Sequence, residues 1–208
     1  MLLAYTGTPG SGKSYHAVSE IWERVKYGHA VVTNIPLTFP KPKLFLRNVS
    51  HETCYHFKET WEITPQYLIE FSETVRKDKG WSRVPEDYIY LVIDEAQLIF
   101  NCRNWNDKSR QEWVKFFTLH RKLGYHIILI TQMSKMLDNQ IRGLLEYEII
   151  HRKFSNYGLK GTMLSLALFS PTLFACVRVW SAMNERIDCE ILRYNRRIAR
   201  MYDTAKLF

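Results

Sequence analysis

The sequence predicts an α/β protein: a doubly wound, mainly parallel sheet with helices on both faces, followed by a C-terminal β-hairpin. Three observations predict it. Short apolar runs alternate with helical patterns through residues 1–150, as in repeated strand-helix-strand units. The first run, Leu2 to Tyr5, leads straight into a glycine-rich loop and then a helix. A later run, Tyr88 to Ile93, ends in two acids. Polar residues therefore collect at the carboxyl ends of strands, where such sheets place their sites. At 208 residues and 46% hydrophobic content, the chain suits one well-packed domain better than two. The expected division is a core over residues 1–150 and a basic extension over residues 151–208.

The loop reads Gly7-Thr8-Pro9-Gly10-Ser11-Gly12-Lys13-Ser14, with Tyr15 opening the helix, and is a full Walker A match. Gly7, Gly10 and Gly12 permit a tight backbone path, so that the amides leading up to Ser14 can point inward at phosphate oxygens. Lys13 reaches the β- and γ-phosphates, and the Ser14 hydroxyl is a ligand for Mg²⁺. The following helix, Tyr15 to Tyr27, has Ala17, Val18, Ile21, Trp22 and Val25 at core spacing and Gly28 as its stop. Its positive end also faces the phosphates. A ligand-free strand-to-helix turn is the plain alternative, and the strand-loop-helix context argues against it.

Ala30 to Ile35 is a second strand closed by Pro36. Residues 37–60 read as an irregular insertion with one short apolar stretch, Leu44 to Leu46. Thr64 and Pro65 then supply the N-cap and first position of a helix running to Arg76. The strand Tyr88 to Ile93 delivers Asp94 and Glu95, the Walker B pattern. Asp94 is placed to hold Mg²⁺, and Glu95 to polarise a water as general base. Acids at a strand end also cap helices, so the reading rests on their pairing with the upstream loop. A helix capped by Asn106 or Asp107 runs to Gly124, and Ile127 to Gln132 is the next buried strand. Gln132 either contacts the γ-phosphate or caps the following loop. Residues 134–146 are expected as one helix carrying Arg142, and Tyr147 to His151 as a fifth strand. Guanine specificity would want an [NT]KxD segment; Ser134-Lys-Met-Leu-Asp138 starts with the wrong residue and is one position too long, which leaves ATP as the expected nucleotide. A neighbouring subunit could supply an arginine to the reacting phosphate, with Arg103, Arg110, Arg121 and Arg142 as donors and Arg142 as the choice.

Residues 151–208 hold ten Lys or Arg against four Asp or Glu. Arg193, Arg196, Arg197 and Arg200 cluster there, suiting single-stranded DNA, an anionic membrane surface, or simply solvent. Gly161 to Val177 carries no charge over seventeen residues, short of a bilayer span and broken by Ser170-Pro-Thr172. A hairpin of Met163 to Phe169 with Phe174 to Trp180 fits better. Cys54, Cys102, Cys176 and Cys189 are scattered, with no CxxC pair and no nearby histidine at metal-ligand spacing, so neither a disulfide framework nor a zinc site is expected and they read as reduced, cytosolic thiols. Because the first strand starts at residue 2, no signal peptide is expected.

The loop Gly7 to Ser14, the segment TNIPL, VIDEAQ at Val92 to Gln97, His120-Arg121 before the LITQ strand, and Tyr202-Asp203-Thr204 together resemble the zonular occludens toxin family. The resemblance implies an ASCE-type P-loop ATPase domain at the cytoplasmic face of the bacterial host inner membrane, powering filamentous phage assembly and export. It implies homo-oligomers that work with phage coat or DNA-packaging proteins. It also assigns Lys13, Ser14, Asp94, Glu95 and Gln132 to nucleotide binding and catalysis. A soluble DNA-translocating or packaging ATPase, and a non-hydrolysing toxin-like interaction protein, are the competing readings.

Overall fold

The computed structural model describes residues 1–40, 51–101, 107–154 and 172–202. The described residues place eight strands in one sheet: β1 (Leu2–Thr6), β2 (Ala30–Thr33), β3 (Tyr55–Phe57), β4 (Ile89–Ile93), β5 (Tyr125–Ile130), β6 (Tyr147–Lys153), β7 (Leu173–Trp180) and β8 (Glu185–Arg193). Their spatial order is β3-β2-β4-β5-β1-β6-β7-β8. Strands β3 to β6 in that order are mutually parallel, whereas β7 runs antiparallel to β6, and β8 to β7. The loop strand β1 is thus separated from the acid strand β4 by β5.

The apolar runs that read as buried strands are buried on both faces. Leu2, Ala4, Leu91, Ile127 and Leu129 point into one core, which also takes Trp113, Phe116 and Phe117 from α4 (Asp107–Leu119) and Leu68 from α3 (Pro65–Asp78). Their alternates Leu3, Tyr5, Val92, Ile128 and Ile130 point into the other, against Ala17, Val18, Ile21 and Val25 of α1 (Lys13–Lys26). Period-two alternation on a sheet covered on both sides explains why these strands carry no polar face.

Two of the expected helix ends are in place. Thr64 accepts a hydrogen bond from the Tyr67 amide at 3.2 Å, with Pro65 at the first helical position. Gly28 adopts φ +78 just past α1. Helix α4 stops at Leu119, and the chain closes through turns to Gly124 at φ +79. The segment 134–146 is not one helix. A 3-10 turn at Ser134–Met136 is followed by α5 (Asn139–Leu144), because the Asp138 amide donates to the Phe100 carbonyl and its carboxylate caps the Gln140 amide. The chain is bent there by a tertiary anchor and a local cap together.

Leu44 to Leu46, Asn106 and Met163 to Phe169 lie outside the described residues. The short helix α2 (His51–Cys54) leads into β3, which holds the edge of the sheet near the insertion. The expected hairpin partner of Phe174 to Trp180 is not the preceding stretch: β7 is paired along its length by β6 on one edge and β8 on the other, so the C-terminal hairpin is that of β7 and β8, and Asn195 then caps the short helix α6 (Arg196–Ala199).

Gly12 shows why the loop demands glycine. It adopts φ +95, and a Cβ there would lie 2.6 Å from the Phe174 ring on β7. Gly12→Ala is therefore expected to lower stability by about 1–2 kcal/mol from the backbone alone. A denaturant midpoint unchanged from wild type would refute it.

Candidate functional site

The loop closes on itself before any ligand is considered. The Ser11 amide donates to the Thr8 carbonyl at 3.1 Å, and the Gly7 amide donates to the Gln132 carbonyl at 3.1 Å, tying the loop to the end of β5. Thr8, Pro9 and Gly10 are exposed at its tip. The Lys13 ammonium donates to the Gly7 carbonyl at 2.8 Å and the Thr8 carbonyl at 3.2 Å. Burial lowers its pKa, opposed by the charges of Asp94 and Glu95. A phosphate anion entering the loop would exchange these neutral carbonyls for a charged acceptor, which is the stronger bond.

Asp94 is buried at the end of β4, and its Oδ2 accepts from the Ser14 hydroxyl at 2.9 Å. Walker A and Walker B are thus joined by one hydrogen bond across eighty residues. Burial raises the Asp94 pKa, against the Ser14 and Glu95 hydrogen bonds that favour its ionised form. Two adjoining oxygens, one on a carboxylate short of compensating charge, are the donor set of a hard cation such as Mg²⁺. Ser14 and Asp94 would hold it, and it would neutralise charge on the bound phosphates.

Asn34, which the motif reading passed over, fixes the main chain of Asp94. Its side chain accepts from the Asp94 amide at 2.7 Å, and donates to the Asp94 carbonyl at 3.0 Å and to Thr60 at 3.1 Å. Its place in TNIPL, directly after a strand neighbouring Walker B, was the available signal.

Glu95 is exposed and adopts φ +49, a left-handed conformation uncommon for a non-glycine residue. Its amide donates to Asp94 Oδ1 at 2.9 Å, and its carboxylate is held by the Gln97 side-chain amide. The turn leaves the Glu95 side chain exposed, one residue beyond Asp94 and near enough for its charge to act on Asp94 and Lys13. Gln132 lies exposed just past β5, its main chain bound to Gly7.

Arg142 lies on α5, between Asp138, whose amide bonds the Phe100 carbonyl, and Glu146, whose amide bonds Leu2 at the opposite end of the strands. Arg121 sits at that same end, paired with Glu146 at 2.6 Å and Glu86 at 3.4 Å, while Arg110 pairs with the buried Asp138 at 2.5 Å. Arg103 lies outside the described residues.

The C-terminal strands contribute more than the motifs suggest. Phe174 covers Gly12, and its ring centroid is 5.7 Å from that of Tyr15. The Tyr15 hydroxyl donates to the Arg193 carbonyl at 3.1 Å and accepts from the Asn195 amide at 2.6 Å. Tyr202 lies close enough to Ser14 and Asp94 for both to act on its hydroxyl, with burial as the main cause of its raised pKa. Arg193, Arg196, Arg197 and Arg200 are exposed beside it. Among the described residues no helix is long and apolar enough to cross a membrane.

Known proteins resemble this chain in sequence and in fold. The chain is 31% identical over 150 residues to the Gene 1 protein of Enterobacteria phage I2-2, an alignment covering 70% of this chain and 38% of that protein. It spans well under half the length of that relative. The N-terminal domain of zonular occludens toxin from Neisseria meningitidis superposes with TM-score 0.56 at 20% identity, covering 97% of this chain and 98% of that one. The genome packaging NTPase B204 from Sulfolobus turreted icosahedral virus 2, in complex with ATP-gammaS, gives 0.51 at 13% identity, covering 92% and 96%. The fold is the α/β fold of P-loop ATPases. A family model described as zonular occludens toxin (Zot) matches residues 1–206, and the chain belongs to that family.

Proposed function

We propose that this chain binds ATP with Mg²⁺, hydrolyses it, and drives filamentous phage assembly and export at the cytoplasmic face of the host inner membrane. The observation that carries the reading is the Ser14 to Asp94 hydrogen bond at 2.9 Å, with Glu95 turned outward one residue later. A cation site and a base thus stand side by side at the mouth of a phosphate loop. The phage origin of the Gene 1 relative and the ATP analogue bound by B204 support the reading. In it, Lys13 and the loop amides hold the phosphates, Asp94 and Ser14 hold the cation, Glu95 takes a proton from water, and Gln132 orients that water. The exposed arginines of α6 and β8 face an anionic membrane or single-stranded DNA, and coat or packaging proteins are the further partners.

Purified protein is expected to release phosphate from ATP in a Mg²⁺-dependent way, with GTP a poorer substrate. No release above a Lys13→Ala control, at any protein concentration that permits assembly, would leave the non-hydrolysing interaction protein as the better reading.

In this reading Arg142 acts on a phosphate held by a neighbour in a homo-oligomer. Arg142→Ala is then expected to cost ~10³-fold in turnover with ATP affinity intact. Mixed with Glu95→Gln protein, it should regain activity at interfaces that pair an intact Glu95 with an intact Arg142. Co-assembled mixtures that stay inactive would remove Arg142 from the site.

A further inference from the structure

His151 on β6, Cys176 on β7 and Glu190 on β8 are direct cross-strand partners, and so form a row on one face of the sheet. Above that row, His16 of α1 places its Nδ1 2.9 Å from His151 Nε2 and 3.8 Å from Cys176 Sγ. The two imidazoles and the thiol are all buried, and their ligand atoms lie within 4.8 Å of one another. Zinc bonds to nitrogen and sulfur in a tetrahedron put neighbouring nitrogens about 3.3 Å apart and nitrogen and sulfur about 3.6 Å apart. The two spacings from His16 are a few tenths of an ångström from those values, and the third pair, His151 and Cys176, lies within 4.8 Å, so that a bound ion would draw the thiol inward.

The outward nitrogens agree with this arrangement. His151 Nδ1 faces the carbonyls of Thr6 at 3.2 Å and Ile149 at 3.0 Å, which can only accept, so its proton sits there and Nε2 keeps a lone pair. His16 Nε2 lies 3.8 Å from the Glu20 carboxylate, one helical turn on. A carbonyl or carboxylate behind each histidine is the usual support of metal-bound imidazoles. The Tyr5 ring fixes both planes, 4.8 Å from His16 and 4.9 Å from His151. A cavity of about 30 Å³, room for one or two waters, opens beside the cluster and is lined by Glu20, Asp188 and Glu190 as well as Arg178. It gives an entry path and an acidic counter-charge.

We propose that His16, His151, Cys176 and Glu190 bind one zinc ion, which staples the C-terminal strands to the phosphate-loop helix. Binding would displace the Cys176 thiol proton to solvent and form the zinc–sulfur bond. The position matters to the loop, because His16 follows Lys13 by one turn and the His151 carbonyl abuts Gly7. Without a metal, a single proton shared between the two imidazoles would satisfy the same nitrogens, and the experiment separates these cases.

Protein loaded with Zn²⁺ and dialysed against metal-free buffer is expected to retain about one zinc per chain by elemental analysis. Cys176→Ser should lose it, and Glu190→Gln, an exposed substitution that leaves the core intact, should weaken retention at least 10-fold. Co²⁺ in place of zinc should give tetrahedral visible bands and a thiolate charge-transfer band, the latter absent in Cys176→Ser. Zinc should also raise the melting temperature of wild type but not of Cys176→Ser. Retention no greater in wild type than in the folded Cys176→Ser variant, or cobalt bound without the thiolate band, would overturn the site.

Discussion

Lys13→Ala is expected to remove ATP binding while leaving the fold in place. In the resting loop the ammonium bonds two carbonyls, of Gly7 and Thr8, at a half-open position, so its loss strands no buried partner charge. With nucleotide bound, the same group would make two charge-assisted bonds to phosphate, each worth about 1.5–3 kcal/mol. That corresponds to roughly 10²–10⁴ in Kd. Titration of a fluorescent ATP analogue, beside a thermal melt of the free protein, tests both halves. An affinity within threefold of wild type would show that the ammonium stays on its carbonyls and takes no part in holding phosphate.

Glu95→Gln is expected to keep ATP and lose hydrolysis by ~10²-fold or more, the usual effect of removing a general base. The substitution is well suited to the geometry. An amide can keep the contact with the Gln97 side chain and the left-handed turn at φ +49, so only basicity is removed. Gln97→Ala is the complementary change, since it frees the carboxylate without altering its chemistry. It should lower turnover less, and leave ATP affinity alone. Wild-type hydrolysis by Glu95→Gln would reassign the base to another group.

The parts of this molecule that were legible in its sequence are those in which chemistry follows a local pattern. Strand β1, the loop and α1 are contiguous, and the acids of β4 directly follow their apolar run, so spacing along the chain was enough. Asn34 was not legible as a support for Asp94, because the two meet only through the packing of β2 beside β4. The break at Leu137 and Asp138 was hidden for a related reason: Leu137 keeps the helical apolar spacing, and the Phe100 carbonyl that bends the chain lies far upstream. Strand β8 gives no clear strand signal, because it is exposed along nearly all its length and carries charges at alternate and adjacent positions alike. The cysteines looked inert when scored by their distance from histidines along the chain, yet Cys176 and His151 are neighbours across two strands. Tyr202 reached Ser14 by the same route, through a returning segment that no short-range rule follows.

The cover that β7, β8 and the segment ending at Tyr202 lay over the phosphate loop sets limits on how the chain can be cut. A fragment ended near residue 150 would keep every residue of both Walker motifs, yet it would expose the outer edge of β6, whose whole length from Tyr147 to Lys153 is paired by β7. An open parallel edge of that kind recruits other chains. The same cut removes the ring packed on Gly12 and both main-chain partners of the Tyr15 hydroxyl. Fragments meant to isolate the ATP site, and fusions inserted between β6 and β7, therefore have to carry the hairpin with them; the smallest transplantable unit extends through Tyr202.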